Sequence, residues 1–540
     1  MDISKLTLEE KAGQLVMCGF AGTEPSEEVL RLIGERHIGG VIYFARNVRD
    51  VRQIAELSDN LQEAARQAGL PPLFVMIDQE GGMVARITEG VALMPGAMAL
   101  GAGSTPEEAY ESARICGEEL RALGVNLNFA PVLDVNNNPR NPVIGVRSFG
   151  ESPERVASYG EAALRGLQAA GVVATAKHFP GHGDTEVDSH LDLPTVPHGR
   201  ERIFEVELQP FIRAIGAEVD SIMSSHVVFP AFEPQRLPVT LSHHVLTGLL
   251  REELGYEGVI FTDCMEMHAI SKHYGTVEAC VMAIEAGADA VLVSHSFELQ
   301  TGAIDAIVEA VRSGRLTEER LDASVSRLLA LKKKRGIGAE TRSLEERLAG
   351  VGTAAHLEAA KRWSEASVTV VKQEADLLPL AAGEETLVLS VQPAVVTLVD
   401  DALAVPLTLG KALEACGVQV REQAIPLADV ARMSGEALEM AASYERIVVA
   451  TYNACFDDAQ ALLVRELLAR GKRPIVVATR MPYDLLAFPA VPVYVCLYES
   501  RPLALQSAAK VLAGQLPARG RLPVSLSGEF PAGWGVQGDA

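Results

Sequence analysis

Between Lys177 and His190 the chain reads Lys-His-Phe-Pro-Gly-His-Gly-Asp-Thr-Glu-Val-Asp-Ser-His, which crowds a lysine, three histidines and two aspartates onto one short stretch. Asp188 and His190 are two positions apart, so in an extended segment both side chains point to the same side. A carboxylate placed there fixes an imidazole's tautomer and raises its basicity, the arrangement of an acid/base pair. A second candidate is Asp263, a lone carboxylate ending the apolar run Gly258-Val259-Ile260-Phe261-Thr262. His178, His182, His190 and Asp184 together also suit a zinc ion. Their spacing lacks the HExxH pattern, however, and the intervening Gly and Pro predict a mobile loop rather than a fixed cage, so no metal is expected. His182 is expected to satisfy backbone groups of the loop.

Such groups need a frame. Apolar runs at Gln14–Phe20, Gly39–Phe44, Leu73–Asp78, Val125–Val135, Val172–Phe179, Ser221–His226, Gly258–Cys264 and Ala290–Ser294 alternate with amphipathic segments such as Glu107–Leu123, Pro153–Ala170 and Val277–Gly287. Eight such strands over about 300 residues predict an α/β chain that opens with a (β/α)8 TIM-type barrel, although periodicity alone also fits a doubly wound open sheet. Barrel enzymes keep their chemistry at the carboxyl ends of strands. Those ends carry Asp78-Gln79-Glu80-Gly81-Gly82 followed by Arg86, then Asp134 with Arg147 on the loop beyond, Lys177-His178, His226 and Asp263. Taken singly, Asp78 reads equally as a turn cap, Glu80 as a solvated acid beside a Gly-Gly turn, and Arg86 and Arg147 as surface residues.

A helix with acids first and bases last, Thr317 to Arg335, follows the eighth strand; its charges follow the helix dipole. Runs at Thr386–Gln392, Val418–Ile425, Arg446–Tyr452, Pro474–Thr479 and Val493–Tyr498 then predict a smaller α/β sandwich with a mostly parallel sheet. The domain expectation is a barrel over 1–337, a linker over 338–366 and a C-terminal α/β domain over 367–540.

The 540 residues carry a formal net charge of −23, which repels phosphate backbones and anionic lipid, so neither nucleic acid nor membrane is an expected partner. The seven cysteines are odd in number and form no CxxC, which argues against a disulfide framework or a zinc knuckle. With no signal-peptide pattern at the start and no run of 18 apolar residues, a reduced, cytoplasmic protein is expected.

The run KHFPGHGDTEVDSH resembles the signature loop of family-3 glycoside hydrolases, in their β-N-acetylglucosaminidase (β-N-acetylhexosaminidase) branch. DQEGG at Asp78–Gly82, NFAPVLDV at Asn128–Val135, IGVRSFG at Ile144–Gly150 and FTDCMEM at Phe261–Met267 carry the same resemblance. It continues into the second domain through RMPYDLLAFP, Arg480–Pro489, and GRLPVSL, Gly520–Leu526. Met83 stands where the family usually has a basic residue. The resemblance implies retaining hydrolysis of terminal β-linked N-acetylglucosamine, with cell-wall fragments as substrates and no cofactor. By motif, Asp263 would be the nucleophile, His190 the general acid/base and Asp188 its orienter. Asp78, Arg86, Arg147, Lys177 and His178 would bind the sugar, Met223 and His226 would form walls, and Glu266 would support. The loop Phe179–His190 is expected to move between open and closed positions. A phosphorylase using phosphate as acceptor and a non-catalytic sugar sensor are the alternatives. The second domain is expected to pack on the barrel or to mediate a homo-dimer.

Overall fold

The computed structural model describes residues 3–374, 377–380, 383, 385–392 and 407–536. Eight parallel strands close a barrel: β1 (Val16–Gly19), β2 (Gly40–Tyr43), β3 (Phe74–Ile77), β4 (Leu127–Asn128), β5 (Val173–Phe179), β6 (Ser221–Ser224), β7 (Val259–Cys264) and β8 (Ala290–Val293). Each pairs with its sequence neighbour, and β8 returns to β1 with Val291 opposite Val16. Strands covered on both faces read as unbroken apolar runs, which is why the sequence betrays them. The barrel interior is filled side chain to side chain. Phe261 meets Phe74 and Phe129 edge-on, with ring centroids 6.1 and 5.9 Å away.

Most strands are shorter than their apolar runs. Gln14 ends a helix, Leu8–Gln14, whose start is fixed by a Thr7/Glu10 capping box. The expected Val125–Val135 strand pairs only over Leu127–Asn128, because Pro131 offers no N–H to a ladder; the chain meets β5 again at Val132, opposite Lys177.

The second sheet contains β9 (Thr369–Lys372), β10 (Thr386–Gln392), β11 (Val420–Pro426), β12 (Arg446–Thr451), β13 (Ile475–Ala478) and β14 (Val493–Cys496), in the order β9-β14-β13-β12-β10-β11. Only β9, which the sequence reading omits, runs antiparallel. The segment 338–366 carries regular structure: helices Leu344–Leu348 and Ala354–Ser367. The latter buries Trp363 among Leu100, Phe149 and Tyr159 of the barrel side and links Ser364 Oγ to Ser507 Oγ at 2.9 Å. No helix among the described residues is long and apolar enough to cross a membrane.

Candidate active site

A cavity of about 480 Å³ opens at the carboxyl ends of the barrel strands. Its lining includes Phe44 and Arg46 after β2, Asp78 and Arg86 after β3, Phe129 and Arg147 after β4, Lys177, His178 and His190 on and after β5, and Met223 on β6. Asp263, Cys264 and Glu266 come from the end of β7, and Ser294 and His295 follow β8.

After β3 the chain folds into a small hairpin, Gln79–Gly81 paired with Val84–Ala85. Gln79 ties its base by accepting from Arg86 N at 2.9 Å and Ile87 N at 3.1 Å. Asn128 of β4 grips the Gln79 backbone from the other side, accepting its N–H at 3.0 Å and donating to its carbonyl at 2.8 Å. The hairpin presents two carboxylates. Asp78 accepts from Lys177 Nζ at 2.7 Å and lies 3.6 Å from Arg86 Nη2. Glu80 is buried rather than solvated: Arg147 donates to both its oxygens, at 2.9 and 2.8 Å, and Lys177 Nζ lies at 2.6 Å. Burial alone would raise the Glu80 carboxyl, but these two cations hold it well below the usual carboxylate range. Arg86 and Arg147 are likewise buried, not surface residues.

Asp134, to which the sequence reading gives no role, organises the next layer. Fully buried, its Oδ2 lies 2.7 Å from His178 Nδ1, and its Oδ1 accepts the N–H of His182 at 2.7 Å. The ring of His178 is thereby fixed, with Nε2 3.5 Å from Arg147.

Asp263 leaves part of its side chain open to the cavity. Burial pushes its carboxyl up, but His226, His178 and His190 nearby, with the Cys264 N–H donating at 2.7 Å, outweigh burial and hold it at about 2. His226 is not part of the cavity wall, contrary to expectation. Its ring is fully buried between Thr240 Oγ1 and the Cys264 carbonyl, both at 2.9 Å, and burial lowers its pKa. Met223 does line the cavity.

The loop beyond β5 brings His190 to the same cavity. Its N–H and Nδ1 both meet Asp188 Oδ1, at 2.9 and 2.7 Å. Burial raises the Asp188 carboxyl, but the His190 contacts outweigh it and keep the group below its ordinary value. His182 bonds two hydroxyls, Thr185 Oγ1 at 2.8 Å and Ser189 Oγ at 3.0 Å, rather than backbone groups. Asn141 Nδ2 donates to the carbonyls of His182 and Gly183 at 2.8 and 3.0 Å and so anchors the loop base. The candidate zinc set does not converge: His178 faces Asp134, His182 its two hydroxyls, His190 Asp188, and Asp184 lies 2.6 Å from His198. Among the described residues, the group with ligand atoms close enough for a metal is Cys264, Glu266 and His295. Glu266 holds the loop after β8, accepting from His295 N at 2.7 Å and Ser296 N at 3.0 Å. Arg46, stacked 4.3 Å over Phe44 and donating to Ser294 O at 2.7 Å, lines the same cavity; its position just past a strand end is the sequence signal for it.

Residues 7–331 match the Glycosyl hydrolase family 3 N terminal domain. The chain belongs to glycoside hydrolase family 3. Beta-hexosaminidase A of Pseudoalteromonas piscicida is 33% identical over 94% of this chain and 93% of that protein. A beta-hexosaminidase of Xylella fastidiosa is 38% identical over 54% of this chain and 87% of its own length. Among solved structures, a glycoside hydrolase family 3 beta-N-acetylglucosaminidase from Paenibacillus sp. str. FPU-7 superposes with a TM-score of 0.91 at 48% identity, covering 97% of this chain and 99% of the other. This family-3 glycoside hydrolase thus brings a strongly acidic carboxyl group, a carboxylate-backed imidazole and a network of buried charges to one cavity.

Proposed function

We propose that the chain is a retaining exo-β-N-acetylglucosaminidase that removes terminal β-linked N-acetylglucosamine from saccharides, with cell-wall fragments as its physiological substrates. One observation carries the reading: Asp263, with a carboxyl held at about 2, and His190, backed by Asp188, line the same cavity. The names of the similar proteins from Pseudoalteromonas and Paenibacillus favour the same sugar.

In this mechanism Asp263 is ionised at working pH and attacks the anomeric carbon. With Nδ1 engaged by Asp188, the Nε2 of His190 carries the proton that passes to the glycosidic oxygen, and the leaving group departs as an alcohol. The Asp188 charge stabilises the imidazolium that donates. Neutral again, His190 takes a proton from water, which attacks the glycosyl ester on Asp263; two inversions give net retention. Asp78, Arg86, Arg147, Lys177 and His178 supply charge-assisted hydrogen bonds to the sugar, with Met223 as an apolar wall. Because Asn141 fixes the loop base, the approach of His190 to the leaving oxygen is confined to the loop tip beyond it.

The test is hydrolysis of an aryl β-N-acetylglucosaminide. Asp263→Ala should abolish turnover, and His190→Ala should lose about 10²–10⁴-fold, with azide restoring the rate on activated leaving groups. Full activity in either variant would refute the assignment. Sugar 1-phosphate formed in phosphate buffer would reassign the acceptor.

A further inference from the structure

The hairpin that carries Asp78, Glu80 and Arg86 is held from outside the barrel as well as from within. Its tip turns through Gly81 and Gly82, both at positive φ (94° and 55°), and Met83. Three consecutive residues following β14 of the second domain grip that tip. Arg501 donates from Nε to the Gly82 carbonyl at 2.7 Å and from Nη2 to the Met83 carbonyl at 3.0 Å. Ser500 N lies 3.4 Å from Met83 Sδ. The Glu499 carboxylate accepts the Gly96 N–H at 2.8 Å and presses so close that a Cβ on Gly82 would sit 2.7 Å from its Oε2. All three side chains are buried.

The loop after β4 meets the same domain at two points. Met481 packs on Gly145, where a Cβ would come within 2.6 Å of its sulfur, two residues before Arg147. The Tyr483 hydroxyl accepts from Asn136 Nδ2 at 2.9 Å, two residues beyond Asp134. The grip on the hairpin differs in kind from these. Filling the space would need only an apolar side chain, whereas burying a guanidinium is costly unless its directional bonds are used. A planar fork bonded to two successive carbonyls fixes both peptide planes of the turn. Glu80 stands two residues from that turn, and its oxygens in turn hold Arg147 and Lys177.

We propose that Arg501 is a positioning residue for the sugar pocket: by fixing the Gly82–Met83 turn it sets Glu80, and through Glu80 the orientation of Arg147 and Lys177. The second domain is thereby part of the catalytic unit. The inference rests on the reading that Asp78, Arg86, Arg147 and Lys177 bind the sugar.

The full-length enzyme carrying Arg501→Ala or Arg501→Lys tests it, with KM and kcat for the aryl substrate, the Ki of free N-acetylglucosamine and the melting temperature all measured. Arg501→Ala should raise KM and Ki about tenfold, equivalent to about 1.4 kcal/mol, with a smaller change in kcat. Added guanidinium should lower KM in this variant and not in the parent. Lysine keeps the charge but not the fork, so Arg501→Lys should fall between the two. A purely structural role would lower the melting temperature and the folded yield while leaving KM and Ki of the folded enzyme unchanged, and that result overturns the inference. If Arg501→Ala yields no folded protein, Arg501→Lys decides by the same criterion. Unchanged binding alongside an inactive Asp263→Ala sinks this inference alone; an active Asp263→Ala sinks the catalytic reading beneath it.

Discussion

Both ends of the barrel bury charged side chains, and they use them differently. At the amino end, Asp289 is fully enclosed and saturated: it accepts from Arg251 at 2.5 Å, Arg327 at 3.1 Å, Ser324 Oγ at 2.8 Å and Ile260 N at 3.0 Å. Asp220 is likewise closed off by Arg335, at 2.6 and 2.8 Å. Lys332 plugs the same end, donating to the Gly39 carbonyl at 3.0 Å from above the Phe74 ring. At the carboxyl end, Asp78, Asp263 and His190 are tied on one side and open to a cavity on the other. Closed networks serve packing; half-open ones retain lone pairs and protons for a ligand. Burial of charge therefore marks a site only where a cavity meets it.

That contrast can be dissociated by substitution. Asp289→Asn leaves the half-buried guanidinium groups of Arg251 and Arg327 without their counter-charge and should cost about 3 kcal/mol in urea unfolding, while kcat/KM of the folded enzyme stays within about twofold. Asp78→Asn should do the reverse. Losing a charged hydrogen bond to substrate should cost about 10²-fold in kcat/KM, while Glu80, 2.6 Å from Lys177 Nζ, still pairs that ammonium and keeps the stability change under about 1 kcal/mol. Equal effects of the two changes on stability and activity would erase the distinction.

The smallest effect concerns Lys332, whose pKa burial lowers from 10.5 to about 7. Between those values the unfolded chain binds a proton that the folded chain does not, so this residue's contribution to stability rises with pH across that window. Lys332→Met should therefore gain about 1 kcal/mol at pH 7, with the gain shrinking towards pH 10. A pH-independent difference, measured by unfolding at both values, would contradict the assignment.

The sequence exposes what local pattern encodes. Barrel strands, flanking helices and the contact between Asp188 and His190 are all legible, because apolar runs and two-residue spacing are local signals. What it hides depends on partners distant in the chain. Glu80 looks solvated beside its glycines until Arg147, from the loop after β4, and Lys177, from β5, close on it. Asp134 acquires a role only against His178, 44 residues on. His226 shares its strand-end position with lining residues, but both its ring nitrogens are taken up by groups distant in the chain, Thr240 Oγ1 and the Cys264 carbonyl. The edge strand β9 follows directly on a helix, with no turn signal to separate them.

The decisive measurement is peptide mass spectrometry of the enzyme after reaction with a fluorinated N-acetylglucosaminyl donor that slows deglycosylation. The proposed mechanism predicts one sugar attached to the peptide containing Asp263, bonded at that carboxylate. A label on Asp78 or Glu266 instead, or steady turnover of the donor with Asp263 never modified, would contradict it.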